Sequence, residues 1–363
     1  MGEADEAFVQ ALGHRPKLSI TEDEGIPLID LSPLSSPNGA NTKHIDDLVV
    51  EIGNACKTWG FFQVINHGVP LEKRQKVEDA MRKFFAQPLE EKRKVRKDEK
   101  KAVGYYDNEH TKNVRDWKEV FDFVADKRIL MAASHEPEDK EVPETFNQWP
   151  DYPPELSRWR EKRKVRRDEK EGGVGIMTPS IPKNVRDWKE VFDFVVKSPC
   201  LMPASSDPED KEIAETHKDA GALTVLAQDD VGGLEVKRKS DGEWVRVKPT
   251  PDAYIINVGD IIQVWSNDAY ESVEHRVMVN SEKERFSIPF FFFPSHYTMV
   301  KPLDELTNEQ NPAKYRAYSW GKFLTTRKGS NFKKLDVENV QIYHFRVQEL
   351  ADKLERALSI NSK

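Results

Sequence analysis

The sequence predicts a mainly β protein with flanking helices, an α+β chain built on a double-stranded β-helix, or jelly-roll, core. Three observations lead there. The second half of the chain is a series of short apolar runs closed by turn signals such as Gly232-Gly233, Asp241-Gly242 and Gly259-Asp260, the rhythm of a double-sheet β fold. The first half carries two stretches whose apolar residues recur at helical spacing. At 363 residues, the chain is long enough for one large domain of this kind.

Taken in order, Ile26 to Leu31 is a short strand, with Pro27 near its start where a missing donor is tolerated. Ile45, Leu48, Val49, Ile52, Ala55 and Cys56 then fall on one helical face, and Gly60 stands where a C-terminal cap would. Phe61 to Asn66 is a second strand, closed by His67-Gly68. A second amphipathic helix runs from about Leu71 to Ala86, with Val77, Met81 and Phe84 inward, and Pro88 stops it. Lys92 to Lys101 interleaves basic and acidic residues and reads as a solvated helix face rather than a phosphate-binding patch. Val120 to Val124 alternates like an edge or sandwich strand.

Further on, Gly232 to Val236 and Trp244 to Val247 flank Asp241-Gly242, which predicts a type I′ hairpin. Tyr254 to Val258 is a strand, and Ile261 to Trp265 a buried turn or short helix. Val347, Leu350, Leu354 and Leu358 form the apolar stripe of a C-terminal helix packed on the outside of the barrel.

An internal repeat interrupts this order. Residues 161–216 nearly copy residues 91–145: Glu-Lys-Arg-Lys-Val-Arg recurs, Asn113 to Val124 returns as Asn184 to Val195, and Pro137 to Glu141 returns as Pro208 to Glu212. Two copies are too few for a solenoid, which needs at least three stacked units. A segmental duplication or a mis-assembled coding sequence accounts for the repeat and for an unusual excess of charge, 33% of residues with a mean hydropathy of −0.71.

The balance of 56 basic against 63 acidic residues, net −7, argues against a nucleic-acid partner. With Cys56 and Cys200 alone there is no disulfide framework or thiolate cluster, which suits a reducing compartment. No apolar run reaches membrane-spanning length, and the first residues lack the basic and apolar regions of a secretory leader. The expectation is a soluble cytoplasmic monomer that meets a small molecule and no membrane.

The chemistry concentrates between His217 and Ser287. If His217 and Asp219 lie at a strand end, the period of two sets both side chains on one face. His275 shares a face with Val277 and Val279 in the run Ser272 to Val279. Two imidazoles and a carboxylate suit Fe(II) in a facial triad with open positions, though zinc fits the ligand types too. Arg285 and Ser287 are also two apart, in an apolar run. A guanidinium fork with a hydroxyl beside it suits one end of a dicarboxylate, such as a 2-oxo acid that chelates iron at its other end. Continuing the alternation puts Phe291 and Phe293 on the same face, as substrate contacts or as core aromatics. The other seven histidines read as structural.

His217-x-Asp219, His275 and Arg285-x-Ser287, together with the flank Asp219 to Asp229, resemble the signature of the 2-oxoglutarate- and Fe(II)-dependent dioxygenases, in their plant soluble branch of specialised metabolism. Thr58 to Phe62 and Asn66 to Val69 resemble the N-terminal region of the same isopenicillin N synthase-like family. The resemblance implies His217, Asp219 and His275 as iron ligands and Arg285 and Ser287 as 2-oxoglutarate anchors. It also implies O2 as cosubstrate, ascorbate as reductant, and hydroxylation, desaturation or demethylation of a small plant metabolite. It divides the chain into an N-terminal helical and strand region (1–150), the duplicated segment (151–216) and the jelly-roll core with its C-terminal helix (217–363). Relatives carry a long apolar helix and an Asn-x-Tyr strand between Glu155 and His217. Neither is present here, and no tyrosine lies between Tyr152 and Tyr254, so weakened 2-oxoglutarate affinity is expected. Val191 to Val196 is the segment available to fill the vacant strand. Two alternatives remain: an ascorbate-dependent oxidase of the ethylene-forming type, which shares these residues, and a catalytically impaired, duplicated member of the family.

Overall fold

In the computed structural model, which describes residues 25–35, 42–97, 103–107, 110–111, 114–115, 118–123, 147–156, 189–191, 193–194, 216–278, 283–294, 296–330 and 339–347, two sheets hold the centre of the chain. The larger has six strands in the order β1 (Leu28–Asp30), β2 (Phe61–Ile65), β12 (Tyr254–Val258), β9 (Leu223–Gln228), β14 (Ser287–Phe293) and β7 (Lys189–Val191). The smaller runs β11 (Trp244–Arg246), β10 (Leu234–Lys237), β13 (His275–Val277). Three minor groups complete the strands: β3 (Tyr105–Tyr106) with β6 (Val120–Asp122) and β8 (Asp193–Phe194), β4 (His110–Thr111) with β5 (Val114–Arg115), and β15 (Met299–Val300) with β16 (Tyr318–Ser319).

Alternation decides what each face buries. Phe61, Leu226 and Ile255 of the large sheet meet Leu234, Val236 and Val277 of the small one in a shared apolar core. The opposite face of the large sheet, with Ile29, Phe62, Val64 and Ile256, is covered by Leu48 and Ala55 of helix α1 (Thr42–Thr58). Burial on both faces explains why Phe61–Ile65 and Tyr254–Val258 are almost continuously apolar instead of alternating. Gly60 ends α1 as expected: at φ +67° its N–H donates to the Ala55 and Cys56 carbonyls, both at 3.1 Å. Helix α2 (Leu71–Phe85) buries Ala80, Met81, Phe84 and Phe85 against Tyr105, Phe121, Phe123 and Phe286.

Four expectations change. Lys92, in α3 (Leu89–Arg93), is not on a solvated face: it is 6% exposed, and its Nζ donates to both Glu119 carboxylate oxygens at 2.6 and 2.8 Å and to the Phe85 carbonyl at 3.2 Å. A carboxylate distant in sequence neutralises it, which no local charge pattern reveals. Strand β6 is neither an edge nor alternating; it is the middle strand of its sheet and all three residues are buried. Its Asp122 is paid for by the Gly104 N–H and by Lys97 at 3.2 Å. The hairpin joins β10 to β11 in the register Val236↔Val245, but through a four-residue loop closed by Arg238 N–H to Glu243 O at 2.7 Å. Within that loop only Gly242 has a positive φ, +74°. Asp241 is engaged by Arg238 at 2.6 Å and by the Glu243 N–H at 3.1 Å, which holds the longer turn in place of type I′. The fourth change concerns the repeat. Val191 lies in β7, antiparallel to β14 opposite Phe291, whereas Asp193–Phe194 forms β8 and pairs with β6 of the first copy. The strand beside β14 is thus Lys189–Val191, which overlaps Val191 to Val196 only at its first residue. The remainder of the second copy up to 215, residues 98–101 of the charge run, and the stripe positions beyond Val347 lie outside the described residues.

Candidate metal centre

The two sheets meet at an isolated antiparallel bridge between His217 and His275, each donating its N–H to the other's carbonyl at 3.0 Å. His275 opens β13 of the small sheet, and Asp219 lies on the irregular approach to β9 of the large one. His217 and Asp219 are therefore not a strand end. A single bridge fixes the first, and the Asp219 carbonyl, accepting the Asp260 N–H at 2.8 Å, fixes the second. The segment is held close: a Cβ on Gly259 would collide with the Gly221 carbonyl, so only glycine lets these two turns touch.

The three side chains still converge. His217 Nε2 lies 3.8 Å and His275 Nε2 3.7 Å from Asp219 Oδ1, and one ligand atom from each residue falls within 4.8 Å of the others. The two imidazole centroids are 4.4 Å apart. The Asp219 carboxylate is divided by its neighbours. Oδ2 accepts from Thr224 Oγ1 at 2.6 Å and from Asn257 Nδ2 at 2.8 Å, so Oδ1 is left to face the histidines. Burial opposes the charge on Asp219, but the imidazoles of His275 and His217 and those two hydrogen bonds outweigh it and hold the carboxyl below its usual range. His275 Nδ1 lies 3.2 Å from the Val273 carbonyl, an arrangement that puts the proton on Nδ1 and leaves the Nε2 lone pair for a cation. The edge of Phe61, 5.2 Å away between centroids, packs the ring in place. Two imidazoles and one oriented carboxylate oxygen, with no thiolate beside them among the described residues, fit an N/O-preferring divalent metal such as Fe(II).

Arg285 and Ser287 stand together as the spacing predicts. Arg285 is 6% exposed; its Nε donates to the Gly232 carbonyl at 2.6 Å, Nη1 to Ser287 Oγ at 3.0 Å and Nη2 to Gln228 Oε1 at 3.3 Å. Burial pushes the guanidinium down to about 10, against the pull of Asp229, so it keeps its charge at neutral pH. Phe291 pairs across β14 and β9 with Thr224, the residue that holds Asp219. Phe293 stacks on Phe291 at 5.9 Å, abuts Gly221 and packs 5.6 Å from Trp320 in the C-terminal apolar cluster.

Thr224, Asn257 and Gln228 are functional-site neighbours that the sequence reading passed over. The signal was there: Thr224 in Leu223–Gln228 and Asn257 in Tyr254–Val258 are polar residues in the interior of largely apolar strands, and a buried polar side chain needs a partner.

Comparison with known proteins decides the family. The model for the 2OG-Fe(II) oxygenase superfamily matches residues 193–294, and that for the non-haem dioxygenase in morphine synthesis N-terminal region matches residues 26–152. Protein DMR6-LIKE OXYGENASE 1 of Arabidopsis thaliana is 35% identical over 331 residues, covering 87% of this chain and 88% of that protein. The chain belongs to the 2OG-Fe(II) oxygenase superfamily. This oxygenase is also 32% identical to jasmonate-induced oxygenase 2 of Arabidopsis thaliana over 320 residues, 85% of this chain and 81% of that one. Its fold is similar to that of JOX2, solved in complex with 2OG, Fe and JA, with a TM-score of 0.66 and 28% identity over 90% of this chain and 89% of that one. A rice dioxygenase for auxin oxidation shares the fold at a TM-score of 0.60 and 24% identity, covering 89% of this chain and 100% of that one. The oxygenase is a 2-oxoglutarate-dependent dioxygenase, and its family uses Fe(II), 2-oxoglutarate and O2. Among the described residues no helix is long and apolar enough to cross a membrane.

Proposed function

We propose that His217, Asp219 and His275 hold one Fe(II), that Arg285 and Ser287 anchor the distal carboxylate of 2-oxoglutarate, and that the enzyme hydroxylates, desaturates or demethylates a small plant metabolite. The observation that carries this reading is the divided Asp219 carboxylate: Thr224 and Asn257 occupy one oxygen, and the other faces two imidazoles whose ligand atoms lie within 4.8 Å. Iron with 2-oxoglutarate and O2 supplies the oxidising power, with succinate and CO2 as coproducts. The protein's own part is positional. Val273 fixes the His275 tautomer. Gly232 and Gln228 orient the Arg285 fork so that its remaining N–H groups can meet a carboxylate. Phe291 and Phe293 wall the face next to the metal and contact substrate there.

The two sheets with their shared core are read as the layers of a jelly roll, with residues 1–150 as the N-terminal region, 151–216 as the duplicated segment and 217–363 as the core. Ascorbate serves as reductant, and the enzyme works as a cytoplasmic monomer. Similarity to a flavonoid 7-O-demethylase of Ocimum basilicum and a feruloyl CoA ortho-hydroxylase of Arabidopsis thaliana, each 32% identical, supports a substrate with an aromatic ring. His217→Ala or Asp219→Ala should abolish substrate-coupled succinate release; near-normal turnover in either variant contradicts the ligand assignment. Omitting 2-oxoglutarate and ascorbate in turn from the same assay separates this reaction from an ascorbate-driven oxidase.

A further inference from the structure

Gln228 ends β9 directly opposite Ser287 of β14, so the two side chains share the inner face of the large sheet. Its carboxamide orientation is fixed by chemistry: Arg285 Nη2 can only donate, so the atom it meets at 3.3 Å is Oε1, and Nε2 points away from the guanidinium. Gln228 is 8% exposed, and its buried Nε2 has no hydrogen-bond partner among the described residues. An amide donor shut away from water is costly unless an acceptor is supplied. The neighbouring donors are similarly aimed. Ser287 Oγ accepts from Arg285 Nη1 at 3.0 Å, which leaves its own proton to give. Each Arg285 terminal nitrogen spends one N–H on Ser287 or Gln228 and keeps a second. Three donor groups with unspent protons therefore stand together, and among the described residues no carboxylate is a direct hydrogen-bond partner of the guanidinium. Such a cluster is complementary to a compact anion with several lone pairs.

We propose that Gln228 is a third anchor for the distal carboxylate of the 2-oxo acid, its Nε2 donating to the same group that Arg285 and Ser287 hold. This rests on the assignment of Arg285 and Ser287 made above. Gln228 also sets the preference for a dicarboxylate over a 2-oxo acid without a distal carboxylate. A 2-oxo acid without a distal carboxylate brings no acceptor to Nε2, whereas a dicarboxylate satisfies it.

The test is calorimetric titration of the Mn(II)-loaded protein, without O2 or turnover, with 2-oxoglutarate and with 2-oxobutanoate. Gln228→Met keeps the length and removes the donor; Gln228→Glu keeps the acceptor for Arg285 and replaces the donor with a second acceptor. Both variants should bind 2-oxoglutarate roughly 10- to 100-fold more weakly than wild type, the range for one hydrogen bond to a charged group. Binding of 2-oxobutanoate and of Mn(II) should change less than about threefold in Gln228→Met. Equal weakening for both 2-oxo acids would mean a general packing role and overturn the proposal, as would unchanged 2-oxoglutarate affinity in a variant that retains Mn(II). If wild-type protein takes up Mn(II) but no 2-oxoglutarate, the Arg285 and Ser287 assignment falls and this proposal falls with it. Should Gln228→Met fail to fold, Gln228→Leu, which also lacks the donor and adds no charge beside Arg285, carries the same comparison.

Discussion

At the scale of single residues, the centre depends on which oxygen of Asp219 is left unoccupied. Thr224 and Asn257 together hold Oδ2. Asn257→Leu should therefore weaken Mn(II) or Fe(II) binding about 10- to 100-fold, the usual effect of losing an outer partner of a metal-ligating carboxylate. Equilibrium metal titration against a competing chelator measures it, and an unchanged affinity would show that the carboxylate needs no such support. The pairs His217 with Asp219 and Arg285 with Ser287 stand out in the sequence, because two-residue spacing and residue type need no knowledge of distant contacts; joining His275 to the first pair took the family resemblance. Thr224 and Asn257 were harder to see, since each becomes meaningful only when β9 and β12 lie side by side in the register Asn257↔Thr224. Lys92 was misread for the same reason: its partner Glu119 is 27 positions away.

At the scale of elements, the loop after the helix Asp260–Trp265 is tied to the C-terminal part of the chain through Asp268. Its Oδ1 accepts from Tyr315 Oη at 2.5 Å, Gln263 Nε2 at 3.0 Å and Arg346 Nη2 at 3.1 Å, and Lys314 lies 3.5 Å from Oδ2. Partial burial opposes the charge, but Tyr315, Gln263, Arg346 and Lys314 outweigh it and lower the carboxyl from its usual 3.8. A carboxyl with a depressed folded-state value contributes stability above its unfolded value, and that contribution is lost as pH falls through the folded one. At pH 7, Asp268→Asn should cost roughly 1–3 kcal/mol in urea unfolding. The difference from wild type should shrink as pH drops below about 4; a constant difference across that range would contradict the linkage. Most elements were legible: α1, α2, β2, β12 and the helix after Gly259 appear where periodicity and breakers put them, within a few residues. The turn between β10 and β11 was not, because Asp241-Gly242 alone suggests two residues, and the Arg238 side chain that stretches the loop to four is invisible to a dipeptide rule.

For the whole molecule, the sheets combine segments that the repeat has pushed apart. Lys189–Val191 of the second copy borders the strand that carries Ser287, Phe291 and Phe293, and Asp193–Phe194 pairs with the first copy's Phe121 and Asp122. The duplication supplies strands to two different sheets, an outcome that the resemblance of the two copies could not foretell, since identical segments have identical local preferences. The double-sheet character was legible because turn signals punctuate the second half of the chain. Which strands border which was not, as that follows from the burial of both faces of the larger sheet. The account as a whole requires that one ferrous ion and one 2-oxoglutarate share the ground between His217, Asp219, His275 and Arg285. Anaerobic titration of the Fe(II)-loaded protein with 2-oxoglutarate tests this directly. A visible charge-transfer band should grow to saturation in the wild type and be missing in Asp219→Ala; no band at any concentration in the iron-loaded wild type would contradict the account.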